Sequence, residues 1–379
     1  MGSGIAQVAA VAGHEVIVAD AHAPSLASGK QSVQKALLRE VEKGRLAAAD
    51  AKKIEARLHF VMASGEHHEA FHGCDLIIEA IVEDLDSKRA AFAAIEAAVT
   101  EDCILATNTS SLSVAAIASA CKRPARVIGL HFFNPATVLP LVEVIGAIGS
   151  DAAVVAKARA LIDGWGKVTV VASDTPGFIV NRVARPFYGE SLRLYEEGIG
   201  DIATIDWALK EIGGFKMGPF ELMDLIGNDV NYAVTKSVFE GLHFDPRYKP
   251  SVTQRRMVEA NRLGRKSGLG YYDYRNGAEK PKPTADRKVG ARIVDRVLAM
   301  LINEAADAVL LRIASAKDID LAMTKGVNYP KGLLAWADEI GIQTVHDRLA
   351  ALQDEYGEDR YRPSPLLKRM ARENRRFFE

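Results

Sequence analysis

Two stretches of this chain carry side chains suited to moving a proton. In GLHFFNPATVLPLVEVI, residues 129–145, His131 closes one apolar run and Glu143 falls within the next. An imidazole titrates near neutrality, so it can take a hydroxyl proton while hydride leaves the same carbon. A carboxylate on the other ring nitrogen selects the tautomer and stabilises the imidazolium. In NTSSL, residues 108–112, Ser110 follows another apolar run and can hydrogen-bond a reacting oxygen. In DTPGFIVNR, residues 174–182, Asn181 offers an amide. Taken singly, these residues have plainer readings: a half-buried histidine, a charge on a strand edge, a helix N-cap at Ser110, and a capping or solvent-facing amide at Asn181.

Positioning such groups takes a sheet. Short apolar runs at His14–Ala19, Leu58–Met62, Asp75–Glu79, Cys103–Thr107, Val127–Phe132, Leu141–Ile145 and Val168–Ala172 alternate with helical stretches. That alternation predicts βαβ units and a largely parallel sheet, whose strand ends line a ligand crevice. Residues 25–58, rich in Ala, Lys, Glu and Leu with a break at Gly44, predict a pair of inserted helices. After Asp174-Thr175-Pro176-Gly177 the strand signal ends and helical pattern takes over, interrupted by an Asn-Gly, Pro and Lys stretch at 275–284 that reads as a linker.

The helical part repeats itself at an offset of 114 residues. Ile179-Val180-Asn181-Arg182 falls on Ile293-Val294-Asp295-Arg296, Ile205-Asp206-Trp207-Ala208 on Ile319-Asp320-Leu321-Ala322, and Ile226-Gly227 on Ile340-Gly341. The expected organisation is an α/β domain over 1–173, a first helical domain over 174–275, a linker over 276–285 and a second helical copy over 286–379. The copies differ where chemistry is expected, because Asn181 becomes Asp295.

The chain opens MGSGIAQVAAVAGHEVIVAD, which matches a dinucleotide-binding unit from the last glycine of its G-x-G-x-x-G turn onward. Gly2 is that third glycine. Gly4 with Ala6, Ala9 and Ala10 makes a helix able to press closely on a sheet. Asp20 closes the following strand, where a carboxylate holds the adenosine ribose hydroxyls and repels a 2′-phosphate. The reading favours NAD over NADP and a Rossmann-type doubly wound α/β sheet, with its first strand missing from this chain, followed by two all-helical domains. The natural polypeptide is expected to start upstream, with Met1 an internal methionine of the fingerprint.

Composition narrows the partners. Lys plus Arg number 48 and Asp plus Glu 49, a formal net charge of -1, so no overall field draws the protein to nucleic acid or an anionic membrane. No apolar run reaches membrane-spanning length. Cys74, Cys103 and Cys121 lack metal-ligand spacing and read as reduced thiols of a cytoplasmic protein, with no metal site expected.

Taken together, Thr107–Leu112, Gly129–Ile145, Asp174–Arg182 and Gly218-Pro219-Phe220-Glu221-Leu222 resemble the L-3-hydroxyacyl-CoA dehydrogenase family over essentially the whole chain. The resemblance implies NAD-dependent oxidation of an L-3-hydroxyacyl-CoA to the 3-oxoacyl-CoA. Position by position, His131 matches the catalytic base, Glu143 its orienting partner, Ser110 the residue on the reacting oxygen, and Asn181 the amide that holds and polarises the substrate. Glu83 and Lys88 match residues near the nicotinamide end of the cofactor site, and Asn108 is grouped with them. Long members of the family carry a second helical copy in the same chain, and here it is expected to pack on the first as an intrachain pseudo-dimer, with a homo-oligomer left open. Candidates for the coenzyme A adenosine phosphate are Lys30, Lys35 and Arg39. Two other classes fit some of these residues: a non-catalytic acyl-CoA- or partner-binding relative that no longer binds NAD, and a dehydrogenase of a free hydroxy or sugar acid. The joint presence of Ser110, His131, Glu143 and Asn181 favours the enzyme, and His-Phe-Phe-Asn-Pro at 131–135 the acyl-CoA branch.

Overall fold

The computed structural model describes residues 1–63 and 70–378. The chain forms two compact units, Met1–Asp174 and Thr175–Glu379. In the first, seven strands follow the apolar runs: β1 (Val16–Asp20), β2 (Leu58–Met62), β3 (Leu76–Glu79), β4 (Ile104–Thr107), β5 (Val127–Phe132), β6 (Leu141–Gly146) and β7 (Val168–Ser173). The helices between them are α1 (Gly2–Val11), α2 (Ala23–Glu42), α3 (Ala48–Ala56), α4 (Leu85–Ala98), α5 (Val114–Ala118) and α6 (Ala152–Gly164). Helices α2 and α3 are the inserted pair, broken around Gly44.

Strands β3 to β7 form a five-stranded sheet in sequence order, while β1 and β2 pair in parallel as a separate two-stranded sheet. Among the described residues no ladder joins the two. Helix α1 connects them by packing instead: Ile5 enters the core built on Ile104, Ile128, Leu130, Val142 and Val144, while Ala6 and Ala10 enter the core of Val33, Leu37, Ile54 and Leu58. All pairings in the larger sheet are parallel except β5 with β6. The eight residues between those two strands leave no room for a crossover helix, so the chain returns antiparallel.

The second unit contains α7 (Val180–Val183), α8 (Arg185–Glu196), α9 (Ile202–Trp207), α10 (Pro219–Ile226), α11 (Asn228–Gly241), α12 (Val252–Glu259), α13 (Arg287–Leu310), α14 (Ala316–Gly326), α15 (Leu333–Ile340), α16 (Ile342–Tyr356) and α17 (Pro365–Glu373). The repeat seen in the sequence recurs in local structure. Helices α10 and α15 occupy positions offset by the same 114 residues, and each is capped from a distance by an equivalent aspartate. Asp206 accepts from the Phe220 and Glu221 amides, and Asp320 from the Leu334 and Ala335 amides. Gly218 and Gly332 precede these helices, and a Cβ at either would sit 2.2 Å from the capping aspartate, so both positions require glycine.

The two copies meet through reciprocal ion pairs. Arg182 Nε donates to Glu304 at 2.7 Å and Arg296 Nε to Glu190 at 2.6 Å, so each arginine pairs with the glutamate of the other copy. Tyr248 donates to Glu304 and Tyr361 to Glu190 in the same reciprocal sense. Self-complementary pairing of this kind is what a two-fold interface produces.

Candidate active site

His131 is the penultimate residue of β5, and the antiparallel register of β6 sets Glu143 directly opposite. Both side chains are buried, and His131 Nδ1 lies 2.6 Å from a Glu143 oxygen. Cross-strand partners on one face are the closest side chains a sheet can offer. The contact fixes which ring nitrogen the carboxylate engages. Phe133 leans on the imidazole, with ring centroids 4.6 Å apart.

Because β3, β4 and β5 run parallel, their carboxyl ends lie on one edge of the sheet, and the segments leaving that edge carry Glu83, Asn108 and Ser110. Asn108 ties two of them together, its amide N–H donating to the Glu79 carbonyl and its side-chain oxygen accepting from the Phe132 amide. Ser110 belongs to a loop gathered on the carboxylate of Glu83. One Glu83 oxygen accepts from Thr109 Oγ1 at 2.6 Å, from the Ser110 amide at 2.9 Å, and from the amide and hydroxyl of Ser111 at 3.1 and 2.9 Å. Burial pushes the Glu83 carboxyl up, but these bonds and the Lys88 ammonium outweigh it and hold the group below its ordinary range. Lys88 is fully enclosed, donating to Glu79 at 2.7 Å and facing Glu83 at 3.3 Å. Glu79 in turn accepts from Thr107 Oγ1 at 2.7 Å and the Ile81 amide at 2.6 Å.

Some of the plainer readings of single residues do not survive. The cap of α5 is Ser113, which accepts from the Ala116 amide, and not Ser110. Asp174 reinforces it, taking the Ser113 hydroxyl and the Val114 and Ala115 amides at 2.8 to 3.0 Å. Asn181 lies inside α7 on the second unit, half-buried. Glu79 and Asp174 escaped sequence reasoning, although a carboxylate closing an apolar run was a usable signal at Glu79.

The start of the chain fits a dinucleotide. Helix α1 has no side-chain cap at its N-terminus. Gly2 lies beside Ala80, just past β3, and Gly4 beside Ala136, past β5. The first turn of α1 therefore lies beside the chain leaving β3 and β5, and an uncapped helix N-terminus is suited to a pyrophosphate. A Cβ at Gly2 or Gly4 would meet its neighbour at 3.7 or 3.6 Å, ordinary contact distances, so close packing alone does not demand glycine at either. Asp20 closes β1, one oxygen accepting from the His22 amide at 2.8 Å. Lys30, Lys35 and Arg39 are exposed on α2. At about 100° per residue, Lys35 and Arg39 share a face while Lys30 lies well round the helix. Among the described residues no cluster of side chains could hold a metal ion, and no helix is long and apolar enough to cross a membrane.

A Rossmann-like sheet with a dinucleotide-binding start and a histidine–carboxylate pair at its strand ends defines an NAD-binding oxidoreductase. The comparisons narrow the class. Residues 1–175 match the model of the 3-hydroxyacyl-CoA dehydrogenase NAD binding domain, and residues 177–274 and 293–376 that of the 3-hydroxyacyl-CoA dehydrogenase C-terminal domain. The 3-hydroxyadipyl-CoA dehydrogenase of Escherichia coli K12 is 37% identical over 98% of this chain and 95% of its own length. The fatty acid oxidation complex subunit alpha of Ectopseudomonas oleovorans is 34% identical over the whole of this chain, which spans 54% of that subunit. Among solved structures, a 3-hydroxybutyryl-CoA dehydrogenase from Escherichia coli K12 superposes with a TM-score of 0.92 at 37% identity, covering 98% of this chain and 96% of that one. The chain belongs to the 3-hydroxyacyl-CoA dehydrogenase family.

Proposed function

We propose that this protein oxidises the 3-hydroxyl of an L-3-hydroxyacyl-CoA thioester to the ketone, with His131 as the base and Glu143 as its orienting partner. The observation that carries the reading is the buried 2.6 Å contact between His131 Nδ1 and Glu143. With Nδ1 engaged by the carboxylate, Nε2 takes the substrate's hydroxyl proton, and the imidazolium so formed keeps a counter-charge beside it. When bound, NAD supplies the hydride acceptor, held by the first turn of α1 and by Asp20. Ser110 hydrogen-bonds the reacting oxygen, Asn181 holds the substrate carbonyl, and Glu83, Lys88 and Asn108 fix the loop that presents Ser110.

The second helical copy, with Asp295 where the first has Asn181, acts as the intrachain counterpart of the first and carries no site of its own. Cys74, Cys103 and Cys121 are free, and burial pushes the Cys103 and Cys121 thiols up to about 11, which suits unreactive thiols in a reducing cytoplasm. The relatives' names span butyryl and adipyl chains, so the length and terminus of the acyl group are set by residues beyond the acid–base pair.

The test is NADH oxidation with acetoacetyl-CoA, with His131→Ala and free acetoacetate alongside. Turnover of the thioester that drops about 10²- to 10⁴-fold in the variant is expected for loss of a general acid–base. An undiminished variant would remove His131 from the chemistry, and faster reduction of the free acid would replace the thioester as the substrate.

A further inference from the structure

Because β6 runs against β5 and β7 runs with β6, the amino ends of β6 and β7 share an edge of the sheet with the carboxyl ends of β3, β4 and β5. Lys167 stands on that edge, one position before β7. The end of α6 delivers it there: the helix closes at Gly164, Trp165 packs on the core near Phe132, and Gly166 turns the chain at a φ of 74°. A lysine at an edge normally carries its ammonium out to water. Lys167 instead folds onto the segment between β5 and β6, donating to the Ala136 carbonyl and, at 2.9 Å, to the Leu139 carbonyl. Among the described residues no carboxylate offsets its charge, and burial alone holds the ammonium below its ordinary range. Asp163, the nearest acid in the sequence, is occupied by the amide and hydroxyl of Thr169, at 3.2 and 2.8 Å.

The segment that Lys167 grips is a turn in which the Val138 and Leu139 amides both donate to the Pro135 carbonyl at 3.0 Å. Those bonds fix its curl but not its seat on the sheet. Val138 at the tip is exposed, while Ala136 is buried in the same core as Ile5 of α1 and Phe132 of β5. Ala136 also backs the first turn of α1, where a Cβ on Gly4 would lie 3.6 Å from its own. Lys167, Ala136 and Gly4 therefore make one line of contact from the start of β7 to the uncapped start of α1. Neutral donors would serve two carbonyls as well. A charge left without a counter-ion near a helix N-terminus adds to the positive potential there, which a phosphate group relieves.

We propose that Lys167 is a positioning residue for the dinucleotide: it clamps the Ala136–Leu139 turn so that Ala136 backs the first turn of α1, and its charge favours a pyrophosphate there. This rests on the reading that the first turn of α1 holds NAD. The role is exercised through Ala136. His131 is held by the register of β5 with β6 instead, so the loss of the clamp falls on cofactor affinity before it falls on the chemistry.

The experiment is a fluorescence titration with NADH, which reads cofactor affinity without turnover, on the unaltered chain and on Lys167→Met, Lys167→Arg, Ala136→Gly and the Lys167→Met, Ala136→Gly double variant. Lys167→Met keeps the apolar stem and loses the ammonium. It is expected to weaken NADH binding about tenfold, the size of one charge-assisted hydrogen bond, while kcat at saturating NADH falls less. Lys167→Arg, which retains charge and donors, should recover most of the affinity. Ala136→Gly should weaken binding by itself, and Lys167→Met should add little in that background, because residues acting along one line of contact are not additive. Unchanged NADH affinity in Lys167→Met overturns the proposal, as do additive losses in the double variant or an arginine variant no better than methionine. Should Lys167→Met not fold, Lys167→Gln, which keeps a donor and drops the charge, decides in its place: weaker NADH binding at an unaltered melting temperature supports the role, and full affinity overturns it. Failure of the unaltered chain to bind NADH would instead overturn the cofactor reading itself, before any variant is compared.

Discussion

Glu83 performs a task that a loop of small polar residues cannot perform for itself. Thr109, Ser110 and Ser111 expose amides and hydroxyls in quick succession, and without a shared acceptor they would each turn to water. A single carboxylate oxygen collects them, and Lys88 neutralises the group from behind. The position of the Ser110 hydroxyl is thus inherited from a side chain 27 residues earlier. Glu83→Ala is expected to lower stability by about 1–3 kcal/mol, the cost of stranding partly buried donors. The larger effect should fall on kcat with acetoacetyl-CoA, while the NADH KM changes less. Glu83→Gln, which keeps an acceptor oxygen but loses the charge facing Lys88, should be intermediate in a kcat against KM comparison. Equal loss in both variants would assign the effect to charge alone.

Strand β5 meets β6 through Gly129, where a Cβ would come within 2.9 Å of Ile145 Cβ and 3.1 Å of Val114 Cγ2. Gly129 lies two residues before His131 on the same strand and faces Ile145 in the register that sets His131 against Glu143. Gly129→Ala is therefore expected to cost about 1–3 kcal/mol through overpacking. On the proposed mechanism it should also cut kcat by more than the loss of folded protein explains, because spreading β5 from β6 separates His131 from Glu143. Thermal unfolding and kcat measured together test this, and a variant that loses stability while keeping kcat would show that the pair tolerates the shift. The elements themselves were legible: all seven strands coincide with apolar runs in the sequence, since buried strands must be apolar. The partners were less so. His131 and Glu143 were visible as residues on neighbouring strands, but which residue faces which is decided by the turn between them. Glu79 offered only its place at the end of an apolar run and Asp174 not even that, because their donors come from Thr107, Lys88 and the start of α5, brought together only by the fold.

At the scale of the helical unit, the sequence showed that a pattern repeats but not why its charged positions repeat as well. Arg182, Glu190, Arg296 and Glu304 are of residue types that usually face water. In the structure they are buried between the copies, each glutamate gripped by the arginine and tyrosine of the other. Such a junction should be sensitive to acid, and the sign follows from its carboxyls. Burial pushes Glu190 up, but Arg360, Arg296 and Tyr361 outweigh it and leave the group below its ordinary value. Glu197, also pushed up by burial, is brought from the ordinary 4.5 to about 2 by Arg296, Tyr356 and Arg193. Below pH 4.5 the unfolded chain therefore binds protons that the folded unit refuses. The stabilisation from both groups is complete above that pH and is lost as pH falls toward 2. The expected result is a melting temperature that this junction leaves level from pH 8 to 5 and pulls down steeply below 4.5. Glu197→Gln should melt lower near neutrality yet show a shallower acid slope, because the variant has one fewer proton to take up on unfolding. Parallel slopes for the two proteins would mean that acid acts elsewhere in the chain and that the junction between the copies is held by its apolar contacts.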